Sequence, residues 1–518
     1  MHQRGQLNEA DALYRQVLKV LPQHFDALHM LGVLEAQRGN PQAAVDLIGR
    51  AIKVDGRNPA AHNNRGNALR ALGRHKEALA SFDKALTLRP DYPEALNNRG
   101  NALRDLGRAR EALVSYDKAL ALRPDNLESL SNRGNALRDL KRPEDALASF
   151  DRALALRPDN PEVLNNRGNA LCDLGRHDEA LASFDRALAL RSDYAEAHYN
   201  RGNVLRGLRR HDEALASYDH ALALKPDYVE AHNNRGTVLR ERGRLDEALA
   251  AFESALATRP DYADALENRG HVLHALKRPD EAIASFQAAL ACGGDRPLLH
   301  YYLAALGAEP QPSTPPQSYV EGLFDQYAAR FDESLQGLKY EIPQQLFETV
   351  TALRPDGLRD IADLGCGTGM CGQIFRPVAR TLAGVDIAAN MIAKSTERGV
   401  YDRLVKGEAT DFLAANAAAF DLIIAADVFI YVGDIDAVFA GVRSALRPGG
   451  QFAFSVEACE GDGFVLRPSR RYAHSLEYLR TLASKHGFVE RAIVPVAVRQ
   501  EEGRDLPGLI AVFERAGV

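Results

Sequence analysis

Apolar and polar positions follow a helical period through the first three hundred residues, and from Phe25 to Arg296 the pattern itself recurs every 34 residues. Asn64-Arg65-Gly66-Asn67 returns as Asn98-Arg99-Gly100-Asn101, and then with Gly134, Gly168, Gly202, Gly236 and Gly270 in the third place. A fixed period of this length predicts helix pairs stacked as a solenoid. Each second helix carries two alanines a heptad apart, beginning with Ala78 and Ala85. Four residues after the first alanine stands an aromatic: Phe82, Tyr116, Phe150, Phe184, Tyr218, Phe252 or Phe286. This spacing puts ring and alanines on one buried face. Pro90, Pro124, Pro158, Pro226 and Pro260 stop the second helices, with Ser192 as the exception. A diverged unit lies around Gly32, preceded by half a unit with Ala10, Tyr14 and Pro22 in register, and Leu298, Leu299, Tyr302 and Leu303 predict a closing helix.

The pattern changes after residue 306. Pro310, Pro312, Pro315 and Pro316 predict an extended linker over 307–319. From 320 to 518 strand-like and helix-like stretches alternate, which predicts a parallel sheet covered by helices. Strands are expected over 361–364, 381–387, 420–427, 451–456, 488–498 and 509–513. The expected division is therefore a repeat array at 1–306, a linker at 307–319 and an α/β domain at 320–518.

The candidate chemistry gathers on Asp363-Leu364-Gly365-Cys366-Gly367-Thr368-Gly369, between the first strand and a helix starting at Met370. Glycines at alternate positions let backbone approach a bound group where side chains would collide with it. A dinucleotide fingerprint needs G-x-G-x-x-G, and Met370 stands where its last glycine belongs, which argues against NAD or FAD. With Asp386 closing the next strand, the stretch resembles motif I of the class I S-adenosylmethionine-dependent methyltransferases. The resemblance implies a Rossmann-like domain with a seven-stranded, mostly parallel sheet and S-adenosyl-L-methionine as cofactor. By the same carry-over, Asp386 accepts hydrogen bonds from the ribose hydroxyls, Ile387 lies against adenine, and Gly365, Cys366, Gly367, Thr368 and Gly369 form the cradle. Asp363 would steady the loop or the methionyl ammonium. Glu408 stands either near the adenine amino group or on an acidic surface loop. Tyr327 and Tyr340 would cover the cofactor, Asp427 would face the acceptor, and Arg471, Tyr472 and His474 would border it, His474 as a candidate base. Neither an Asn/Asp-Pro-Pro-Tyr nor a Pro-Cys nucleophile occurs at the expected place, so the nucleic-acid amine and cytosine C5 classes do not fit.

The 34-residue units resemble tetratricopeptide repeats, departing from them in the arginine before each glycine, Arg65 to Arg269. In that family the first helix lines a concave surface. Two asparagines three apart on it, Asn64 and Asn67, then Asn98/Asn101, Asn132/Asn135, Asn166/Asn169 and Asn200/Asn203, predict an amide ladder for an extended protein or peptide partner. With the net charge at −6 there is no global attraction to nucleic acid. Five scattered cysteines without zinc spacing read as reduced thiols, and no apolar run spans a bilayer, so a cytoplasmic protein is expected. As a whole the chain resembles predicted methyltransferases that carry tetratricopeptide repeats, which implies methyl transfer to a protein or peptide recruited by the repeats. Alternatives are a small-molecule acceptor with repeats used for assembly, or a non-catalytic scaffold.

Overall fold

The computed structural model describes residues 7–328, 331–332, 340–355, 357, 359–501 and 504–517. The chain divides into two compact units, Met1–Thr258 and Arg259–Val518. Among the described residues no helix is long and apolar enough to cross a membrane.

Among the described residues the first unit is built of helices joined by short turns. Leu7–Val20 precedes helix pairs that run from Phe25–Gln37 and Pro41–Val54 to Val229–Glu241 and Leu245–Thr258. The invariant glycine has a steric cause: a Cβ on Gly66 would stand 2.5 Å from the Phe82 ring, and one on Gly168 2.6 Å from Phe184. Ring and bare Cα therefore define how closely each pair packs, and the flanking alanines are fully buried. From Arg99 to Arg235 the arginine before the glycine is a stitch rather than a packing defect, bonding to an aspartate of the preceding repeat. Arg133 donates from Nε to Asp117 of the preceding repeat at 2.7 Å and from its terminal nitrogen to Ser149 of its own repeat at 2.6 Å. Arg167 does the same with Asp151 and Ser183.

Much of the asparagine ladder is spent on the stack as well. Asn98 donates to Asn63 at 3.1 Å, Asn132 to Asn97 at 3.2 Å and Asn200 to Asn165 at 2.9 Å. Asn64 pairs with His29, while Asn101 and Asn203 accept the hydroxyls of Tyr116 and Tyr218. Asn166 makes no equivalent bond among the described residues: Ser131 stands in the place held by Asn63, Asn97 and Asn165 elsewhere in the stack.

The second unit opens with one more helix pair, Ala263–Ala275 and Pro279–Ala291, and a closing helix, Arg296–Ala305. Its sheet contains β1 (Arg359–Leu364), β2 (Ala379–Asp386), β3 (Arg403–Lys406), β4 (Phe420–Ala425), β5 (Leu446–Ala458), β6 (Phe464–Leu466), β7 (Tyr472–His474), β8 (Phe488–Glu501) and β9 (Arg504–Arg515). The order β3-β2-β1-β4-β5 is parallel, β9 lies antiparallel against β5, and β8 completes that edge. This is the expected seven-stranded arrangement, with β6 and β7 added as a hairpin at the end of β5. β3 escapes sequence reading because it is short and half exposed, with charged residues at both ends. All six residues of β1 are buried, since helices cover both faces of a central parallel strand.

The proline-rich segment is bonded into this unit. Gln311 brackets β6, donating to the Phe464 carbonyl and accepting the Leu466 amide, both at 2.9 Å. The Pro312 carbonyl accepts the Tyr472 hydroxyl, and the Ser313 carbonyl accepts the amides of Gly433 and Asp434. A helix then starts at Gln317 and runs to Tyr327. Of the stretch expected to cover the site, Ala329 and Arg330 lie outside the described residues.

Candidate active site

At the carboxyl ends of β1, β2 and β4 the second unit encloses a cavity of about 670 Å³. β1 feeds directly into the glycine turn, where Gly365, Gly367 and Gly369 have φ of 62°, 52° and 89°. Side chains rarely adopt this region. A Cβ on Gly365 would come within 2.6 Å of Val428, so that glycine lets the loop after β4 close against the turn. Among the described residues only Phe331 comes near a Cβ placed on Gly367, at 3.9 Å, and Gly367 itself lines the cavity.

Asp386, at the end of β2, clasps the turn. One carboxylate oxygen accepts the Gly367 amide and the other the Ala388 amide, each at 2.9 Å. Each oxygen keeps a lone pair for a further donor from the cavity. Burial raises the pKa of this carboxyl, and the two backbone amides oppose the rise. Asp363, at the floor, accepts the Tyr401 hydroxyl at 2.6 Å. Burial pushes its pKa up to about 7, with Tyr401 pulling it down and Asp386 adding to the rise. Gly372 makes room for this tyrosine: a Cβ there would stand 2.3 Å from the Tyr401 ring.

The cover comes from residues before the sheet. Val320 and Phe324 of the Gln317–Tyr327 helix line the cavity with Phe331, and Asp325 accepts the Asn390 amide at 2.9 Å, fixing that helix over the end of β2. Thr368 donates to Asp332 at 2.5 Å, and Arg398 pairs with the same carboxylate. Thr314, Pro315 and Gln317 also stand on the wall.

Asp427 follows β4 with φ of 56°, a conformation that costs a non-glycine residue about 1–2 kcal/mol and gathers at functional sites. It is locked by a reciprocal pair: its amide donates to Ser455 Oγ at 2.8 Å and Ser455 Oγ donates to its carboxylate at 2.9 Å. Burial raises its pKa, while hydrogen bonds from Ser455 and Tyr340 and the charges of Arg499 and Arg471 oppose this. Arg499 and Arg467 both pair with Glu457, which is fully buried on β5.

The sequence-derived residues divide accordingly. Asp363, Gly365, Cys366, Gly367, Thr368, Asp386, Ile387, Glu408, Asp427, Tyr340 and Arg471 line one cavity, and Gly369 starts the helix beneath it. Glu408 precedes the Ala409–Ala414 helix on the exposed rim, its pKa raised by partial burial and by Asp411 and Glu321. Three expectations need correction. Tyr472 does not border the acceptor: it is fully buried in β7 and absent from the wall, its hydroxyl donated to the Pro312 carbonyl. Tyr327 is the last residue of its helix, 52% exposed and absent from the wall, where Phe324 serves instead. His474 is fully buried in β7, its Nε2 2.9 Å from the Gly433 carbonyl, and burial pushes its pKa down to about 4. Turned inward and away from the wall, it cannot reach an acceptor there. Tyr401, Ser455 and Arg499 carry no sequence signal, because each matters through a partner distant along the chain. The buried thiols of Cys366 and Cys371 have raised pKa values and are packing groups.

Residues 362–452 match the family described as Methyltransferase domain, and families described as Tetratricopeptide repeat match 3–49, 30–93, 97–161, 193–261 and 233–297. The chain carries tetratricopeptide repeats and a class I methyltransferase domain. The methyltransferase domain is 32% identical over 145 residues, 25% of this chain and 48% of the relative, to a malonyl-[acyl-carrier protein] O-methyltransferase of Xylella fastidiosa. It is 31% identical over 118 residues to the biotin biosynthesis bifunctional protein BioHC of Saccharophagus degradans, 22% of this chain and 21% of that one. The chain thus spans about half or less of the curated relatives it matches. The repeats are 28% identical to YrrB, described as a TPR protein with an unusual peptide-binding site, with a TM-score of 0.30 over 36% of this chain and 95% of that one.

Proposed function

We propose that the methyltransferase domain binds S-adenosylmethionine and transfers its methyl group to an acceptor oxygen, and that the repeats recruit the molecule bearing that acceptor. The observation that carries this reading is Asp386, a buried carboxylate held by two backbone amides beside a glycine turn whose missing side chains leave the cavity open. Its spare lone pairs match a vicinal diol. When bound, the cofactor supplies a methyl group on a cationic sulfur, displaced in line by an acceptor lone pair. The residues on the page then have separate tasks. Asp386 fixes the ribose, the glycine turn admits the cofactor, and Asp363 faces the methionyl ammonium. Phe324 and Phe331 exclude water, which favours alignment over a dedicated base. Relatives named as malonyl-[acyl-carrier protein] and ubiquinone biosynthesis O-methyltransferases support oxygen as the acceptor atom. The direct test is calorimetric titration of the whole chain with S-adenosylhomocysteine, followed by labelled methyl transfer into a cell extract. Micromolar binding and label in extract components are expected, whereas absence of binding by folded protein would leave the scaffold reading in its place.

For the repeats, the amides free of neighbours narrow the recruiting surface. Asn67, Asn135, Asn166 and Asn169 make no hydrogen bond with a described residue, unlike Asn98, Asn132 and Asn200. Amides that both donate and accept suit peptide backbone of varied sequence. Alanine at Asn135, Asn166 and Asn169 is expected to abolish partner capture with cofactor affinity unchanged. Full capture by that variant would return the asparagines to a purely structural role.

A further inference from the structure

Arg471 lines the same cavity as Tyr340, Asp427 and Arg499, and it stands at the turn joining β6 to β7. The turn is closed by two backbone bonds, Arg470 to the Arg467 carbonyl at 2.8 Å and Arg467 to the Arg471 carbonyl at 2.9 Å. Arg470 has φ of 63°, a left-handed conformation that persists only when its surroundings fix it. They do so here. Tyr301 of the closing helix donates to the Arg470 carbonyl at 2.8 Å, and the Arg470 guanidinium lies 5.4 Å from the Tyr302 ring and 6.0 Å from that of Tyr319. Gln311 and Pro312 hold the two strands from outside. A side chain on such a braced turn is aimed, not free to wander.

The arginines around it are already engaged. Arg467 and Arg499 share the single charge of Glu457, and Arg470 is packed among tyrosines. The Arg471 side chain has neither hydrogen bond nor ion pair with a described residue. The carboxylate facing this group, Asp427, is committed to Ser455 and Tyr340. This end of the cavity therefore has an excess of positive charge and a guanidinium fork with unused donors. A half-buried guanidinium in that state favours a planar anion, which it can bind through two parallel hydrogen bonds.

We propose that Arg471 binds the carboxylate of the methyl acceptor, which is then methylated on oxygen. The inference rests on the methyl-transfer reading above and specifies its substrate class. A carboxylate oxygen already carries the lone pair that forms the new O–C bond. The electrons of the broken S–C bond remain on sulfur, the product is a neutral methyl ester, and no proton has to be removed. That chemistry asks for an anion clamp and no base, which is what this wall offers once His474 is found buried on the other side of β7. The ester leaves without the charge that Arg471 held, so product release follows from the reaction itself.

The test uses the whole chain saturated with S-adenosylhomocysteine and four probes, the N-acetylcysteamine thioesters of malonate and succinate with a free carboxylate and the same thioesters ending in an amide. At least one free acid is expected to bind about tenfold or more tightly than its amide. Arg471→Gln should erase that difference while S-adenosylhomocysteine affinity stays within about twofold, and Arg471→Lys should keep part of it. With labelled cofactor, the bound acid should take up label that mild base releases as methanol. Equal binding of acids and amides by the wild type, binding of neither, or an Arg471→Gln variant that discriminates as before overturns the proposal. Failure of the wild type to bind S-adenosylhomocysteine would instead remove the methyl-transfer reading on which it stands.

Discussion

Asp386 illustrates how one side chain can serve fold and ligand together. Because its oxygens accept the amides of Gly367 and Ala388, Asp386→Ala removes a ribose anchor and also leaves two buried donors unpaired, each worth about 1–3 kcal/mol. Asp386→Asn keeps one acceptor and separates the roles: its unfolding midpoint should fall less than that of the alanine variant, while both lose about tenfold or more in S-adenosylhomocysteine affinity. An alanine variant that binds with unchanged affinity would remove the ribose assignment. Asp363 makes a prediction about pH. Its pKa of about 7 in the fold, against 3.8 for an ordinary aspartate, means that the native state holds a proton the unfolded chain has lost. Its contribution to stability therefore falls as pH rises between those values and is constant above about 7. A cationic ammonium beside it favours the ionised form, so cofactor affinity should rise from about pH 5.5 and level off near about pH 8, with proton release on binding below that point. Titration in two buffers of different ionisation enthalpy measures the released proton. An affinity flat across this range, or the same slope in Asp363→Asn, would show that another group controls binding.

At the scale of elements, the repeats were the most legible part of the chain, because the glycine, the two alanines and the ring answer one steric demand repeated at one spacing. Gly168→Ala puts a Cβ 2.6 Å from Phe184 and should lower the thermal midpoint, since overpacking costs about 1–3 kcal/mol and exceeds the gain of about 1 kcal/mol from helix propensity. Gly207→Ala, with nothing within 4 Å, serves as the control and should leave the midpoint unchanged or raise it. If both substitutions behave alike by circular dichroism, ring contact is not the reason for the glycine. The glycine turn and Asp386 were legible for a related reason: backbone geometry there admits few residue types. Tyr401 was not, since its bond to Asp363 joins positions 38 apart without a shared motif. His474 was misplaced because proximity in sequence to Arg471 says nothing of face. All three residues of β7 are buried, and the short hairpin that buries them lacks the alternation that marks a strand. The ladder asparagines were visible as a row, but not that half of them bond to a neighbouring repeat, because for Asn64, Asn98, Asn132 and Asn200 that depends on the residue one place earlier in the preceding unit.

For the whole molecule, the proline-rich segment raises the question of where a fragment able to bind cofactor begins. Composition places the start at residue 320, on the argument that prolines without a core of their own make few contacts. The hydrogen bonds of Gln311, Pro312 and Ser313 with the β6–β7 hairpin and with Gly433 and Asp434 argue for an earlier start, and so does the bond from Tyr301 to Arg470. Thr314, Pro315 and Gln317 are part of the cavity wall, so deleting them opens the site to water even if the sheet survives. Compact-unit division falls after Thr258, which keeps the last helix pair and the closing helix with the methyltransferase domain. A fragment from Arg259 to Val518 is therefore expected to fold and to bind S-adenosylhomocysteine within about threefold of the whole chain. One from Val320 should bind about tenfold more weakly or fail to stay soluble, since it loses a wall and exposes the face of Tyr472 that the linker covers. Calorimetry on both fragments, with folding checked by circular dichroism, decides the boundary. If the shorter fragment binds as tightly as the longer, the segment before Val320 is a tether lying on the domain and takes no part in its site.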